Sequence, residues 1–281
     1  MFTFCLFKIV GMNVKKLFFA ILFLSVMMVA KAARVDTLSV QSMSMNKQVE
    51  VIVVSPEKEG TYPVLYLLHG YSGNAKTWLG IRPELTEISD REGIIFVCPD
   101  GKNSWYWDSP VDRSMRYETF VSKELVSFID GRYPTRAKRE GRAVTGLSMG
   151  GHGAMWLALR HKDVFGAAGS MSGGLDIRPF PENWEMKKQL GNMAENQDRW
   201  NSYTAINQID RIKDGDLALI IDCGYDDFFL QVNQDFHQKL LANKIGHDFI
   251  LRPGAHTEKY WNNAIDYQIL FFKKFFENVQ K

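Results

Sequence analysis

The sequence predicts an α/β domain built on a mostly parallel sheet with helices on both faces, and three observations carry that prediction. YPVLYLLHG, GIIFVCPDG, GRAVTGLS, FGAAGSMSGG, LALIIDCG and HDFILRPG are short apolar runs, each closed by glycine, proline or polar residues, as strands buried on both faces read. Most are separated by segments long enough for a helix, the rhythm of strand–helix–strand units. The stretch before them, VDTLSVQSMSMNKQVEVIVVSP, alternates apolar and polar residues around Asn46-Lys47, which predicts an antiparallel pair.

The helices follow from apolar residues spaced three and four apart: Phe120, Leu125, Phe128 and Ile129; Phe229, Val232, Phe236 and Leu240; and Trp261, Ile265, Ile269, Phe272 and Phe276. Such stripes read as core. Residues 176–213, rich in Trp, Asn, Gln and Pro, break the regular alternation and read as either a helical insertion over the site or a solvated connector. With 281 residues, 46% of them apolar, the chain can bury a sizeable core in one large domain, expected over residues 33–281.

Residues 1–32 read as a signal peptide. Lys15 and Lys16 precede the apolar run LFFAILFLSVMMVA, and Ala30-Lys31-Ala32 supplies the small-x-small cleavage pattern. The run is shorter than the roughly 20 residues a membrane span needs, so export and release are expected rather than anchoring. Met12 gives a better-shaped leader than Met1 and is an alternative start. Removing Lys8, Lys15, Lys16 and Lys31 turns a formal charge of +2 into −2. No basic run remains to suggest a nucleic-acid partner, and nothing points to a particular oligomeric state. Cys98 and Cys223 end strands about four sheet positions apart in the usual strand order, roughly 19 Å at ~4.8 Å per strand. A disulfide needs Cα atoms within roughly 7 Å, so two free, buried thiols are expected.

The chemistry centres on TGLSMGGHG. Gly146-Leu147-Ser148-Met149-Gly150 fits G-x-S-x-G, in which the glycines let a strand turn sharply into a helix and leave the serine exposed at the turn. An apolar strand, RAVTGL, precedes it, and GAMWLALRH follows with strong helix formers. A serine nucleophile needs a histidine base and a carboxylate to orient it, which follow it in the order acid, then histidine. Of the histidines well downstream, His237 falls inside an amphipathic helix and His247 at the start of a strand. His256 sits in the glycine-bearing loop RPGAHTEKYW after the last strand, where such sheets place their sites. LALIIDCGYDDFF offers the acid: Asp222 is still in the strand, and spacing leaves Asp226 and Asp227 open, the other serving to cap the next helix. The oxyanion calls for backbone N–H groups from Met149, directly after the serine, and from Tyr71 in the loop after YPVLYLLHG. His69 reads as structural. Trp105, Tyr106 and Trp107, in the loop DGKNSWYWDSP, are expected to be exposed and to bind substrate. The pattern calls for no metal and no cofactor.

The segments YLLHGYSGN, PDGKNSWYWDSP, YETFVSKELVSFID, GLSMGGHGAMWLALRHKDVFGAAGSMSG, DCGYDDFFL and PGAHTEKYW together resemble the esterase D-like family of α/β-hydrolases. That family includes tributyrin, feruloyl and acetyl-xylan esterases, S-formylglutathione hydrolases and mycolyltransferases. The resemblance implies the α/β-hydrolase fold and a Ser148, Asp227, His256 triad, because the family's acid is the third residue after the glycine of its C-G-x-x-D motif, here Gly224. Family members often carry P-G-G-H where this chain has Pro253-Gly254-Ala255-His256, so the loop before His256 is expected to be slightly repositioned. The expectation is an exported serine carboxylesterase acting on short-chain acyl, acetyl or feruloyl esters of plant polysaccharide fragments. The alternatives are an S-formylglutathione hydrolase-like thioesterase, acyl transfer to a sugar or lipid alcohol, and a non-catalytic carbohydrate-binding protein.

Overall fold

Alternation at the start of the domain yields a hairpin. In the computed structural model, which describes residues 33–278, β1 (Arg34–Ser42) pairs antiparallel with β2 (Lys47–Ser55), and Ser42 faces Lys47 across the turn. Asn46 closes that turn with φ 50°, a left-handed conformation that asparagine tolerates better than most residues. The leader, its cleavage site and the alternative start lie outside the described residues.

The six apolar runs become β3 (Val64–Leu68), β4 (Ile95–Pro99), β5 (Arg142–Gly146), β6 (Ala167–Met171), β7 (Ala218–Gly224) and β8 (Asp248–Arg252). The eight-stranded sheet has the order β1-β2-β4-β3-β5-β6-β7-β8; β2 is antiparallel to β4, and β3 through β8 run parallel. Burial on both faces explains why these runs are continuously apolar. In β3, Val64, Tyr66 and Leu68 point into one core, while Leu65 and Leu67 point into the other. Each such fully buried aliphatic side chain contributes on the order of 1.5–3 kcal/mol relative to exposure.

Helices cover both faces. Between β3 and β4 lie α1 (Thr77–Ile81) and α2 (Leu85–Glu92). Residues 117–132 form α3, which is α-helical over Tyr117–Thr119, widens to a π-helix over Phe120–Leu125 and returns to α over Val126–Arg132. Then come α4 (Met149–Arg160), the short α5 (Met186–Leu190) and α6 (Gln197–Ser202), α7 (Leu230–Ala242) and α8 (Glu258–Asn278). Trp78, Ile88, Ile265, Ile269, Phe272 and Phe276 place α1, α2 and α8 on one face; Leu125, Ile129, Trp156, Phe236 and Leu240 place α3, α4 and α7 on the other.

This division creates the site. From β3 the chain moves outward to β4, then returns to β5 on β3's other side, so the connections after β3 and β5 leave toward opposite faces. A crevice opens at the carboxyl ends of neighbouring strands where such a reversal occurs. Cys98 on β4 and Cys223 on β7 are four strand positions apart, buried and unpaired.

Candidate active site

Ser148 occupies a backbone geometry that belongs to neither strand nor helix, φ 54° and ψ −117°. A non-glycine residue there costs on the order of 1–3 kcal/mol. The surroundings impose it: the Ser148 N–H donates to Met171 O at 2.9 Å, and its carbonyl accepts the His152 N–H at 3.1 Å. The two motif glycines make the turn possible. A Cβ at Gly146 would stand 2.4 Å from the Gly150 carbonyl, and one at Gly150 would stand 2.3 Å from Leu68 O.

His256 comes from the loop between β8 and α8, and its Nε2 lies 2.9 Å from Ser148 Oγ. Its Nδ1 lies 3.0 and 3.1 Å from the two carboxylate oxygens of Asp227. The Asp227 side chain is fully buried, and its Oδ1 also accepts the Phe229 N–H at 2.8 Å. Asp226 is exposed. The capping role expected of the unchosen aspartate is therefore corrected: Asp227 itself takes the N–H at the start of α7, because it points inward and Asp226 does not. Phe228 and Trp261 flank the His256 ring, with centroids at 4.3 and 4.9 Å. The positive φ of the loop, 143°, falls on Gly254, so Ala255 needs no glycine conformation.

The other histidines are engaged elsewhere. His237 Nδ1 meets His247 Nε2 at 2.7 Å. His69 is buried, with Nδ1 on Gly70 O at 2.7 Å and Nε2 accepting the Gly101 N–H at 2.8 Å. That pairing makes it a brace between two loops.

Met149 opens α4, so its N–H has no intrahelical acceptor. Gly70 brings the β3 loop close enough that a Cβ there would stand 3.3 Å from Ser148 Cβ and 2.6 Å from Leu147 Cδ1, with Tyr71 next in the chain. Ser148, His256 and Tyr71 line a cleft of about 490 Å³, together with Ser72, Asn74, Ile81, Leu147, Trp184, Phe228, Glu258 and Trp261.

The esterase family model, described as "Putative esterase", matches residues 42–272. The chain belongs to the esterase family. The acetyl esterase of Caldicellulosiruptor saccharolyticus is 29% identical over 214 residues, 72% of this chain and 79% of that protein. The S-formylglutathione hydrolase of Bos taurus is 25% identical over 236 residues, 75% of this chain and 82% of the relative. A solved structure of a ferulic acid esterase superposes with a TM-score of 0.75 at 28% identity, covering 87% of this chain and 98% of the other. The family and the fold, that of the α/β-hydrolases, make this chain a carboxylic ester hydrolase.

In this esterase the loop carrying Trp105, Tyr106 and Trp107 behaves differently from expectation: all three are at most 1% exposed, and none lines the cleft. Trp105 and Tyr106 adopt φ values of 54° and 60°, which fold the loop back, and Ser104 Oγ locks it by donating to Gly101 O and accepting the Tyr106 N–H. The side chains turn inward beneath α4. Trp105 and Trp107 stack on each other, each nearly perpendicular to the His152 ring, and the Tyr106 ring fills the space a Cβ at Gly153 would need.

The aromatic lining comes from elsewhere. Trp184 stacks on Phe228 with centroids at 5.7 Å, and Trp261, expected as core from its helical spacing, packs half-buried against the core and also borders the cleft at the first turn of α8. Phe228 and Trp261 carried a signal, since one directly follows Asp227 and the other stands a helical turn past His256. Trp184 carried none beyond its place in segment 176–213. That segment forms α5, α6 and 3₁₀ turns, and its Glu185 lies beside Tyr71; burial and that carboxylate together push the Tyr71 hydroxyl's pKa up.

Proposed function

We propose that the esterase works through a Ser148–His256–Asp227 triad and an acyl-enzyme. The observation that carries this reading is the continuous hydrogen-bonded chain from Ser148 Oγ through both ring nitrogens of His256 to the buried Asp227 carboxylate. His256 Nε2 takes the Ser148 proton as Oγ attacks the ester carbonyl, and Asp227 orients and stabilises the imidazolium. The N–H groups of Met149 and Tyr71 hold the oxyanion. His256 returns the proton to the leaving alcohol, then draws one from water to release the acid. Ser148→Ala should lower kcat/KM for a short p-nitrophenyl ester by ~10⁴-fold or more. Turnover that survives would remove Ser148 as nucleophile.

For substrate, we propose short-chain acetyl or feruloyl esters on plant polysaccharide fragments, met outside the cytoplasm after removal of the leader. The names of the acetyl esterase and ferulic acid esterase relatives support this choice. So does the cleft, whose Trp184, Phe228 and Trp261 offer flat faces for an aromatic acyl group or a sugar ring. Release of acetate and of ferulate from xylan-derived oligosaccharides, measured beside hydrolysis of S-formylglutathione, tests it. A thioester hydrolysed far better than either sugar ester would reverse the assignment.

A further inference from the structure

The acid and the histidine arrive on separate strands, and a buried polar group ties the ends of those strands together. Asp222, near the end of β7, is the fifth residue before Asp227; Arg252, the last of β8, is the fourth before His256. The Asp222 side chain has no exposure to solvent. Arg252 Nη2 donates to its Oδ2, and the Tyr260 hydroxyl donates to its Oδ1 at 2.5 Å. Arg252 Nε lies 3.4 Å from the Tyr260 hydroxyl oxygen, so each of the three touches the other two.

The same group grips both loops. Beyond the strands, the Tyr225 N–H donates to Arg252 O and the Asp226 N–H to Gly254 O, both at 2.9 Å. Gly224 lies so close to this strip that a Cβ there would stand 2.2 Å from Gly254 O. The Tyr260 ring presses on the His256 loop from the other side, at 2.3 Å from where a Cβ on Gly254 would be. Arg252 is held in turn over the Tyr267 ring, 4.0 Å from its centroid.

A buried ion pair is a poor source of stability, since desolvation offsets most of its attraction and apolar side chains of similar volume would serve at least as well. What it supplies is direction. Apolar contacts tolerate sliding, whereas the Asp222–Arg252 bond adds a side-chain tie at the open end of the backbone ladder that registers β7 against β8, and Tyr260 ties both residues to the first turn of α8; the 3.0 Å contact between Asp227 and His256 depends on how those ends are held.

We propose that Asp222, Arg252 and Tyr260 form a positioning clamp that sets the Asp227 loop against the His256 loop. The proposal rests on the triad reading above. Misplacement of a reacting group by about 1 Å can cost on the order of 10²-fold. Tyr260→Phe, which keeps the ring against Gly254 and loses only the hydroxyl, should lower kcat about tenfold with KM within about twofold of wild type. Asp222→Asn should do the same or more. Arg252→Met should lose more than Arg252→Lys, because lysine can still donate to Asp222.

The measurement is kcat and KM for a p-nitrophenyl ester, per active site titrated with a fluorophosphonate. A kcat within about twofold of wild type in both Tyr260→Phe and Asp222→Asn overturns the clamp. An effect confined to KM, or to the amount of folded enzyme, overturns it too. Ser148→Ala is the control on the underlying reading. Turnover surviving that change removes the triad, whereas an inactive Ser148→Ala beside fully active clamp variants removes only the clamp.

Discussion

Two aromatic groups flank the nucleophile turn, and they divide the work between them. Trp105, Tyr106 and Trp107 are consecutive in the chain and lie buried against His152 and Gly153 of α4. Trp184, Phe228 and Trp261 come from three distant segments and meet at the cleft around His256. The first group supports the helix that carries the serine turn; the second lines the cleft beside Ser148 and His256. Trp105 joins them, its Nε1 pointing at Trp184 O from 3.5 Å. A run of aromatics in a loop therefore shows only that much apolar area must be covered. Which side it takes depends on the backbone, here on two left-handed residues that turn the loop inward.

If the chemistry belongs to the rim, its largest test lies at the acid beside Phe228. Asp227→Asn should lower kcat/KM by on the order of 10²–10⁴-fold, because the His256 ring loses the partner that orients it, while Asp226→Asn should stay within about twofold. Equal, mild losses in steady-state kinetics would mean that the acid lies elsewhere.

The two aromatic groups can then be set against each other directly. Trp107→Ala should destabilise the fold by about 3–5 kcal/mol, seen as a lower urea midpoint, with near-normal kcat per folded molecule. Trp184→Ala should leave the midpoint almost unchanged and raise KM for an aryl ester roughly three- to tenfold. The opposite pattern would exchange the roles of block and rim.

A further expected effect concerns pH. Burial among Trp105, Trp107 and Trp156 pushes the His152 pKa down from its ordinary 6.5 to about 3. The unfolded chain therefore binds a proton that the folded chain refuses across that window. The stability this neutral ring contributes is fully present above pH 6.5 and is lost as pH falls toward 3, by an amount on the order of a few kcal/mol. Melting midpoints should fall less steeply over that range in His152→Gln than in the wild type. Parallel slopes would show that the ring takes up its proton within the fold.

Most of the architecture was legible because burial leaves a periodic trace. All six apolar runs became strands, and the hairpin formed where alternation placed it. The nucleophile turn was legible because its glycines are steric necessities, with almost no room for a Cβ at Gly146 or Gly150. Local spacing could not separate Asp226 from Asp227, since neighbouring residues of a loop differ only in which one faces inward. The spacing of Trp261 showed that it packs on the core but not that it also reaches the cleft, because helical spacing marks one face of α8 and does not say where the sheet beneath it ends.

By itself the sequence determined the parallel sheet, the sharp turn at Ser148 and the order of serine, acid and histidine, because each rests on local sterics or on apolar periodicity. The family resemblance already implied Asp227, and the tertiary structure brings its carboxylate to His256 Nδ1 while leaving Asp226 exposed; only the tertiary structure decided that Trp105, Tyr106 and Trp107 support α4 from within, and that Asp222, Arg252 and Tyr260 join two strand ends. The inward turn of Trp105, Tyr106 and Trp107 rests on two left-handed residues, and the junction of Asp222, Arg252 and Tyr260 on how β7 and β8 are offset in the sheet. No local pattern encodes that offset, since it is set by the packing of the whole core.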